Sequence, residues 1–337
     1  MQLPPIAATT IGSFPRPKWL ANATRSQTTF NLEGDRLREG LDDATSVAIR
    51  DQELAGLDLV TDGEQRRPHF IDHILNSLEG VDTVNRVPKG VYRRRDDVHQ
   101  VPHVFGALKR RKPAVVEDLQ FAKARTDRPV KMAVPGPMTV VDSTLDDHYG
   151  GDEAAMAMDV ATALNQELRD LQAAGADVVQ IDEPAMTRYH EKVATYGARA
   201  LDRCIEGITI PTIVHLCYGY PGGKDLQHEY EYPELFPLLL ETNISGVAVE
   251  FARSNYDPAI LEVCKERLVM FGCVDPSDVP VPPLESVVTR VRDVLRYLDP
   301  EKLLLAPDCG LMTVSRELAF AKARLLADTA AELRRTL

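Results

Sequence analysis

Eight short apolar runs, rich in β-branched residues, recur along the chain, and amphipathic stretches separate most of them. This alternation constrains the fold strongly, because strands joined by helices lie parallel and are buried on both faces. Eight such units predict an α/β fold, a closed (β/α)8 TIM barrel. A doubly wound open sheet is the alternative, but the G-x-G-x-x-G turn typical of such sheets does not follow the first strand. The predicted strands are residues 6–12, 57–63, 131–136, 176–184, 212–217, 246–252, 268–275 and 302–310.

Helical patterns lie between the predicted strands. The stretch from residue 152, DEAAMAMDVATALNQELRDLQAAG, has acidic residues in its first turn, apolar residues three and four apart, and glycine at its end. These features mark the start and the end of a helix. The predicted helices are residues 35–55, 114–125, 152–174, 192–207, 232–242, 257–266, 284–298 and 315–335.

One segment, residues 80–112, breaks the alternation of strands and helices. Its apolar and charged residues alternate around the sequence PKG, which predicts a β-hairpin inserted into the barrel. We find no linker that would divide the chain and no short repeat within it. The sequence therefore predicts a single barrel domain over residues 1–337.

The charge balance excludes several classes of partner. The net charge is −12 and the pI is about 5.2, which argues against nucleic acid and against an anionic membrane. We interpret the basic clusters RRR at 93–95 and KRRK at 109–112 as solvated faces or anion contacts. No apolar run reaches the roughly 18 residues that a membrane span needs, and MQLPPIAATT lacks a signal-peptide pattern. We therefore expect a cytoplasmic protein.

Polar residues stand at most of the predicted strand ends. In a TIM barrel the functional side chains lie at the C-terminal ends of the strands, so these positions are candidates for a functional site. They are Gly12 and Ser13, Asp62 and Glu64, Asp182 and Glu183, His215 and Cys217, Glu250, Asp275, and Asp308 and Cys309.

Four of these strand-end residues are of the types that bind zinc: His215, Cys217, Glu250 and Cys309. His215 and Cys217 are two residues apart in a predicted strand, so their side chains point the same way. The alternative is that the histidine and the thiol are core residues and that the glutamate is an ion-pair partner or a helix cap. Their shared place at strand ends makes a metal site as good an interpretation as the structural alternative.

The remaining cysteines predict no disulfide framework. Five cysteines are an odd and sparse set for an acidic soluble protein, so free thiols are expected. Cys204 and Cys264 lie in predicted helices and are interpreted as buried small residues. Cys273 ends a strand and is assigned either to the core or to the surroundings of the metal site.

A thiol substrate would explain a zinc site of this composition, because bound zinc deprotonates a coordinated thiol. Glu64 and Asp182 would then suit the ammonium group of an amino-acid thiol. Their alternative role is ion pairing with arginines such as Arg66 or Arg188.

The residues at the strand ends carry a family resemblance that spans nearly the whole chain. The sequence resembles the catalytic, zinc-binding half of cobalamin-independent methionine synthase, within the zinc-dependent thiol alkyltransferases. Six motifs occur in order, each at a strand end: TTIGSFPRP (9–17), TDGEQRR (61–67), VQIDEPA (179–185), HLCYGY (215–220), VEFARS (249–254) and APDCGL (306–311).

The resemblance implies zinc as the cofactor and homocysteine as the substrate. Zinc would be bound by His215, Cys217, Glu250 and Cys309. Homocysteine would be held by the turn Ile11, Gly12 and Ser13 together with Glu64 and Asp182, and the last two are also the predicted catalytic residues.

The sequence departs from the folate-using members of the family in four places. It has one barrel where the full-length enzymes resemble two in tandem. Ser143 stands where those members carry a tryptophan, and the sole tryptophan here is Trp19. Ser277 stands where they place a proton-donating histidine. The stretch YGYPGGKDLQHEYEYPE (218–234) is longer than its counterpart.

These observations predict a zinc-dependent S-methyltransferase that activates homocysteine and forms methionine. The candidate methyl donors are a methyl-corrinoid, free or on a partner corrinoid protein, and a non-polyglutamyl folate. One alternative is another thiol alkyl transfer, such as epoxide opening by coenzyme M, although two carboxylates would repel its sulfonate. A protein that binds zinc or a corrinoid without catalysis is a further alternative.

Overall fold

A parallel sheet curls into a barrel at the centre of the molecule. The computed structural model describes residues 3–23, 28–90, 98–218, 231–254 and 256–337. The main sheet has seven strands in the order β1, β12, β11, β10, β9, β8, β6, and all its pairs are parallel. The strands are β1 (Ala7–Ala8), β2 (Ala21–Ala23), β3 (Thr28–Phe30), β4 (Leu78–Gly90), β5 (Val98–Arg110), β6 (Lys131–Pro135), β7 (Leu145–Asp146), β8 (Val178–Asp182), β9 (Thr212–Leu216), β10 (Gly246–Glu250), β11 (Leu268–Val274) and β12 (Leu303–Pro307).

The second predicted strand, residues 57–63, closes the barrel without forming a regular strand. Val60 makes an isolated parallel bridge with Val130, next to the start of β6. On the other side, the backbone N–H groups of Asp58 and Leu59 donate to the carbonyl of Ala8 in β1, at 2.9 and 3.2 Å. All eight predicted barrel positions are therefore filled, and the TIM-barrel prediction is confirmed.

The predicted helices are present, with two local differences. Predicted helix 192–207 contains a π-helical segment, Val193–Gly197, where Gly197 allows Met138 to pack closely. Residues 257–266 contain a 3-10 helix, Pro258–Cys264, in place of the predicted α-helix, and the Asp257 side chain accepts from the Ala259 N–H at its start. Another 3-10 turn spans Pro300–Lys302. The α-helices are α1 (Gly34–Ala55), α2 (Asp72–Leu75), α3 (Val116–Lys123), α4 (Pro137–Asp142), α5 (Glu153–Ala173), α6 (His190–Lys192), α7 (Ala198–Ile205), α8 (Glu231–Leu240), α9 (Leu284–Val294) and α10 (Arg316–Arg334).

The predicted insertion is a long β-hairpin. Strands β4 and β5 pair antiparallel, as expected, and residues 88–90, the PKG sequence, lie in β4 opposite 98–100. The hairpin contacts the rest of the barrel at several points: Arg110 Nε donates to Glu167 of α5 at 2.9 Å, and Lys89 Nζ donates to the carbonyls of Asp142 and Thr144 at 2.7 Å each. A cation there complements the C-terminal end of α4. The RRR cluster at 93–95 lies outside the described residues.

Two apolar layers form the core. One fills the space between the strands and the surrounding helices. The other lies inside the barrel and includes Ala7, Val178, Ile213 and Met270. None of the helices within the described ranges has the length and apolar character to cross a membrane. The cytoplasmic location expected from the sequence stays a prediction.

Candidate metal centre

Four buried side chains converge at the C-terminal end of the barrel. His215 lies in β9, Cys217 follows that strand, Glu250 ends β10, and Cys309 lies just beyond β12. Carboxyl ends of neighbouring parallel strands meet at one edge, which brings these distant residues together. One ligand atom from each of the four lies within 4.8 Å of the others. The cluster predicted from the sequence is therefore assembled in the structure.

The donor atoms of this cluster fit a metal ion. The sulfur atoms of Cys217 and Cys309 are 3.3 Å apart. His215 Nδ1 bonds to Asp182 Oδ1 at 2.9 Å, whereas its Nε2 is buried and has no hydrogen-bond partner among the described residues. Two thiols, an imidazole nitrogen and a carboxylate are a donor set typical of zinc.

Because the cluster is buried, the ionised forms of its glutamate and cysteine side chains are unfavourable unless a cation lies beside them. Desolvation and the neighbouring Cys217 raise the pKa of Glu250 well above its ordinary value. The hydrogen bond with Cys217, together with burial, raises the pKa of the Cys309 thiol. A divalent cation would offset these costs, since it stabilises the deprotonated ligands.

Neighbouring groups hold the ligands in place. The backbone N–H of Tyr218 donates to Glu250 Oε1 at 2.8 Å. The Tyr232 hydroxyl accepts from the backbone N–H of Glu250 at 2.8 Å and donates to the carbonyl of Leu216 at 3.1 Å. Through Tyr232, helix α8 therefore fixes the ends of β9 and β10 relative to each other.

Asp308 anchors the loop that follows Glu250. Its carboxylate accepts from the backbone N–H groups of Phe251, Ala252 and Arg253 at 3.0, 2.8 and 3.0 Å. Gly272 in β11 makes this approach possible, because a Cβ there would lie 2.5 Å from Asp308 Oδ1. The residue before Cys309 thus also sets the loop after Glu250.

The predicted substrate turn lies beside Glu64. A Cβ on Gly12 would lie 2.3 Å from Glu64 Oε1, so glycine is needed for this contact. Thr61 Oγ1 donates to the Gly12 carbonyl at 2.8 Å, and the Leu311 N–H donates to the Ser13 carbonyl at 2.9 Å. The turn is therefore held from two sides, by the second barrel position and by the loop after the eighth.

Glu64 has an unusual backbone and an unusual acidity. Its φ angle is 54°, in the left-handed region that non-glycine residues rarely adopt. Desolvation raises the pKa of its carboxyl group; Arg67 lowers it, while Asp182 and Asp62 raise it further. The effect of Asp182 on the pKa of Glu64 indicates that the two side chains lie close enough to interact electrostatically.

The arginines considered as partners for these carboxylates bind elsewhere. Arg66 pairs with Asp42, and Arg188 pairs with Asp142, the latter at 2.6 Å. The structure thus gives no support to the ion-pair alternative with either arginine.

A match to a family model covers residues 6–332, under the description cobalamin-independent synthase, catalytic domain. The chain belongs to this family. It is therefore a methyltransferase. A methionine synthase of Sulfurisphaera tokodaii is 31% identical, over 95% of this chain and 90% of that protein. A methionine synthase of Saccharolobus solfataricus is also 31% identical, over 95% of this chain and 92% of that protein. A solved B12-independent methionine synthase from Shewanella sp. W3-18-1, in complex with selenomethionine, matches the structure of this chain with a TM-score of 0.91 and 34% sequence identity. The match covers 99% of this chain and 98% of that chain.

The other three cysteines of the chain lie outside the cluster. Cys204, Cys264 and Cys273 are buried free thiols, as predicted. Cys273 Sγ contacts the Ala306 carbonyl at 3.7 Å and belongs to the core.

The serines that replace folate-linked residues lie in different surroundings. Ser143 lines a cavity of about 250 Å³ between the hairpin and the barrel, together with Phe70, Arg86 and Arg188. Ser277 donates from both its backbone N–H and its hydroxyl to Asp275, at 2.8 and 2.6 Å. Residues 219–230 of the longer stretch lie outside the described residues.

Two polar residues near the cluster were missed by sequence reasoning. Gln180 precedes Asp182 by two residues in β8 and donates to its Oδ1 at 2.7 Å. Lys131 is wholly buried at the start of β6, and burial lowers the pKa of its ammonium group to about 8. The sequence contained two signals for these residues: a lysine at the start of an apolar strand, and a glutamine two residues before an aspartate in the same strand.

Proposed function

We propose that this protein transfers a methyl group to the sulfur of homocysteine and forms methionine, with zinc bound by His215, Cys217, Glu250 and Cys309. The observation that carries the proposal is the convergence of these four buried ligands beside the carboxylates of Glu64 and Asp182. When bound, zinc would lower the pKa of the substrate thiol and so favour the thiolate at neutral pH.

The residues around the cluster suit an amino-acid thiol. Glu64 and Asp182 supply negative charge for its ammonium group, and charge-assisted hydrogen bonds of this kind are strong. The turn Ile11, Gly12 and Ser13 would hold the amino-acid backbone in the same place. A sulfonate-bearing thiol such as coenzyme M would instead be repelled by the two carboxylates.

The residues would act mainly by positioning. The sulfur–methyl bond forms as the bond between the methyl carbon and the donor atom breaks, and the donor atom keeps that electron pair. The thiol proton is lost before transfer. Holding the two reactants in line lowers the entropic cost of the reaction, which is the contribution expected from the substrate turn and the two carboxylates.

The Shewanella relative supports methionine as the product. That protein was solved with selenomethionine, the selenium analogue of methionine, and it matches 99% of this chain. We propose that methionine is the product released from the site formed here by Gly12, Glu64 and Asp182. We also propose that residues 1–337 act as one catalytic domain.

We further propose that the methyl donor is not a polyglutamyl folate. Ser143 and Ser277 provide neither the ring for stacking on a pterin nor the imidazole proton donor that the folate-using members carry. A methyl-corrinoid, free or on a partner protein, is the candidate to test first, followed by a folate without a polyglutamate tail.

The metal site is tested by replacing Cys309 with serine. C309S should lose most of its zinc and its turnover while its circular dichroism spectrum stays unchanged, because serine is a poorer zinc ligand than a thiolate. The matched control is C204S, which alters a buried thiol in α7 far from the cluster and should keep its zinc. Full zinc content in C309S would remove Cys309 from the site.

The substrates are tested by a screen of the zinc-loaded protein. Homocysteine is combined with methylcobalamin, methyltetrahydrofolate or its polyglutamate, and methionine is measured. Efficient turnover with the polyglutamate would contradict the donor proposal. Tighter binding of coenzyme M than of homocysteine would contradict the assignment of the thiol.

A further inference from the structure

A lysine lies fully buried inside the barrel, near the candidate metal centre. Lys131 is the first residue of β6, and every other residue of that strand is apolar. Its Nζ donates hydrogen bonds to the carbonyl of Ile11 and to Oε1 of Gln180. Because burying a cation is costly unless its hydrogen bonds are satisfied, a lysine at this position requires a reason beyond packing.

The hydrogen bonds from Lys131 continue to the cluster through two side chains of β8. Gln180 and Asp182 are two residues apart in this strand and therefore lie on the same face. Gln180 Nε2 donates to Asp182 Oδ1 at 2.7 Å, and the same oxygen accepts from His215 Nδ1 at 2.9 Å. Lys131, Gln180, Asp182 and His215 thus form one continuous chain, which we call the relay.

The chemistry of each member fixes the orientation of the next. An ammonium group has only donors, so the Gln180 amide must turn its oxygen toward Lys131 and its NH2 toward Asp182. A carboxylate only accepts, so the proton of His215 lies on Nδ1. In the neutral imidazole the lone pair then lies on Nε2, which is the buried nitrogen without a hydrogen-bond partner among the described residues.

We propose that Lys131 and Gln180 are positioning residues for the metal centre: they orient Asp182 and thereby hold His215 in the tautomer that binds a metal through Nε2. This inference rests on the proposed metal site. Lys131 also binds the carbonyl of Ile11, so the same ammonium group ties the substrate turn to the relay. Groups that orient a metal-binding histidine in this way commonly affect metal affinity.

The relay is tested with K131M and Q180E. K131M keeps an unbranched side chain and removes the donors, whereas Q180E keeps an acceptor for Lys131 but cannot donate to Asp182. Both variants should bind zinc about 10- to 100-fold more weakly, measured by chelator competition. If Lys131 needed only a buried acceptor, Q180E would bind zinc as the native protein does, and the inference would fail.

The matched control is K322M. Lys322 is also wholly buried, but it donates to the carbonyls of Asp275 and Ser277, outside the relay. Loss of this lysine should lower thermal stability while zinc affinity stays at the native value. A loss of zinc affinity in K322M equal to that in K131M would attribute the effect to general destabilisation and overturn the inference.

A second readout does not depend on activity or on the metal. The proton of His215 Nδ1, bonded to a carboxylate, should give a downfield resonance in the proton NMR spectrum, identified by its loss in D182N. K131M and Q180E should shift or broaden this resonance, and K322M should not. An unchanged resonance in both relay variants would overturn the inference.

The two proposals fail in different ways. If the native protein binds no zinc, the proposed metal site fails, and the NMR comparison still decides whether Lys131 orients Asp182 and His215. If the native protein binds zinc and K131M binds it equally well, the metal site stands and the positioning role of Lys131 is wrong.

Discussion

Glu64 is the residue whose protonation should limit substrate binding. Desolvation raises the pKa of its carboxyl group above the ordinary value for glutamate, and only the ionised form can pair with the ammonium group of homocysteine. Protonation therefore competes with the substrate. Affinity should be highest above the raised pKa and should fall as the pH falls through it.

We expect E64Q to bind homocysteine roughly 10- to 100-fold more weakly at neutral pH, as for loss of a charged hydrogen bond. It should also lack the acidic decline in affinity that the native carboxylate causes. Calorimetric titrations of both proteins between about pH 5 and pH 8 measure this difference. An identical acidic decline in E64Q would assign it to another group.

At this scale the sequence was informative wherever a residue type is itself unusual for its position. His215 and Cys217 stand out in an apolar strand, and their partners Glu250 and Cys309 could be predicted because strand ends converge in a barrel. Gln180 could not be assigned a role, since its contact with Lys131 depends on the neighbouring strand pair β6 and β8, whose register no local pattern specifies.

Among the elements, β11 supports the candidate metal centre although none of its residues belongs to the cluster. Its Gly272 faces Asp308, and an added Cβ would lie 2.5 Å from Asp308 Oδ1 and 2.6 Å from the carbonyl of Val249. Asp308 in turn holds the loop after Glu250. Bulk at Gly272 should therefore displace the ligands on both neighbouring strands.

We expect G272A to lower the free energy of unfolding by about 1–3 kcal/mol, the usual cost of overpacking. It should also weaken zinc binding, measured by chelator competition. The matched control is G90A in the hairpin, because a Cβ at Gly90 would meet no atom of the described residues within 4 Å. Native zinc affinity in G272A would show that the Asp308 loop does not position Glu250.

The elements were largely predictable because each combines a local pattern with clear boundaries. The second barrel position is the exception: LDLVTDG predicts a strand, yet it forms one bridge at Val60. Its backbone instead makes two hydrogen bonds on each side: Asp58 and Leu59 donate to the carbonyl of Ala8, and Val60 donates to the carbonyl of Pro129 and accepts from the N–H of Lys131. Whether a segment forms a ladder depends on how the whole barrel closes, which a local pattern does not encode.

For the whole molecule, the alternation of strands and helices predicted the barrel, and the period of two in residues 80–112 predicted the hairpin. Neither pattern predicted the contacts between the hairpin and the barrel. Lys89 donates to carbonyls at the end of α4, and Arg110 donates to Glu167 of α5; each pairing spans more than fifty residues of sequence. Such contacts follow from the assembled fold.

The left-handed backbone conformation of Glu64 lowers the stability of the fold at a residue that we propose to bind the substrate. Holding a non-glycine residue in this conformation lowers the free energy of unfolding by about 1–3 kcal/mol. Glycine would avoid this strain, but it loses more conformational entropy on folding, which offsets part of the gain. E64G should therefore unfold with a free energy about 1 kcal/mol higher than E64Q, measured in urea, although both lose the carboxylate. Equal stabilities would mean that the backbone is not strained. A sequence selected for stability alone would carry glycine at position 64; this chain carries the residue that we propose to bind the substrate.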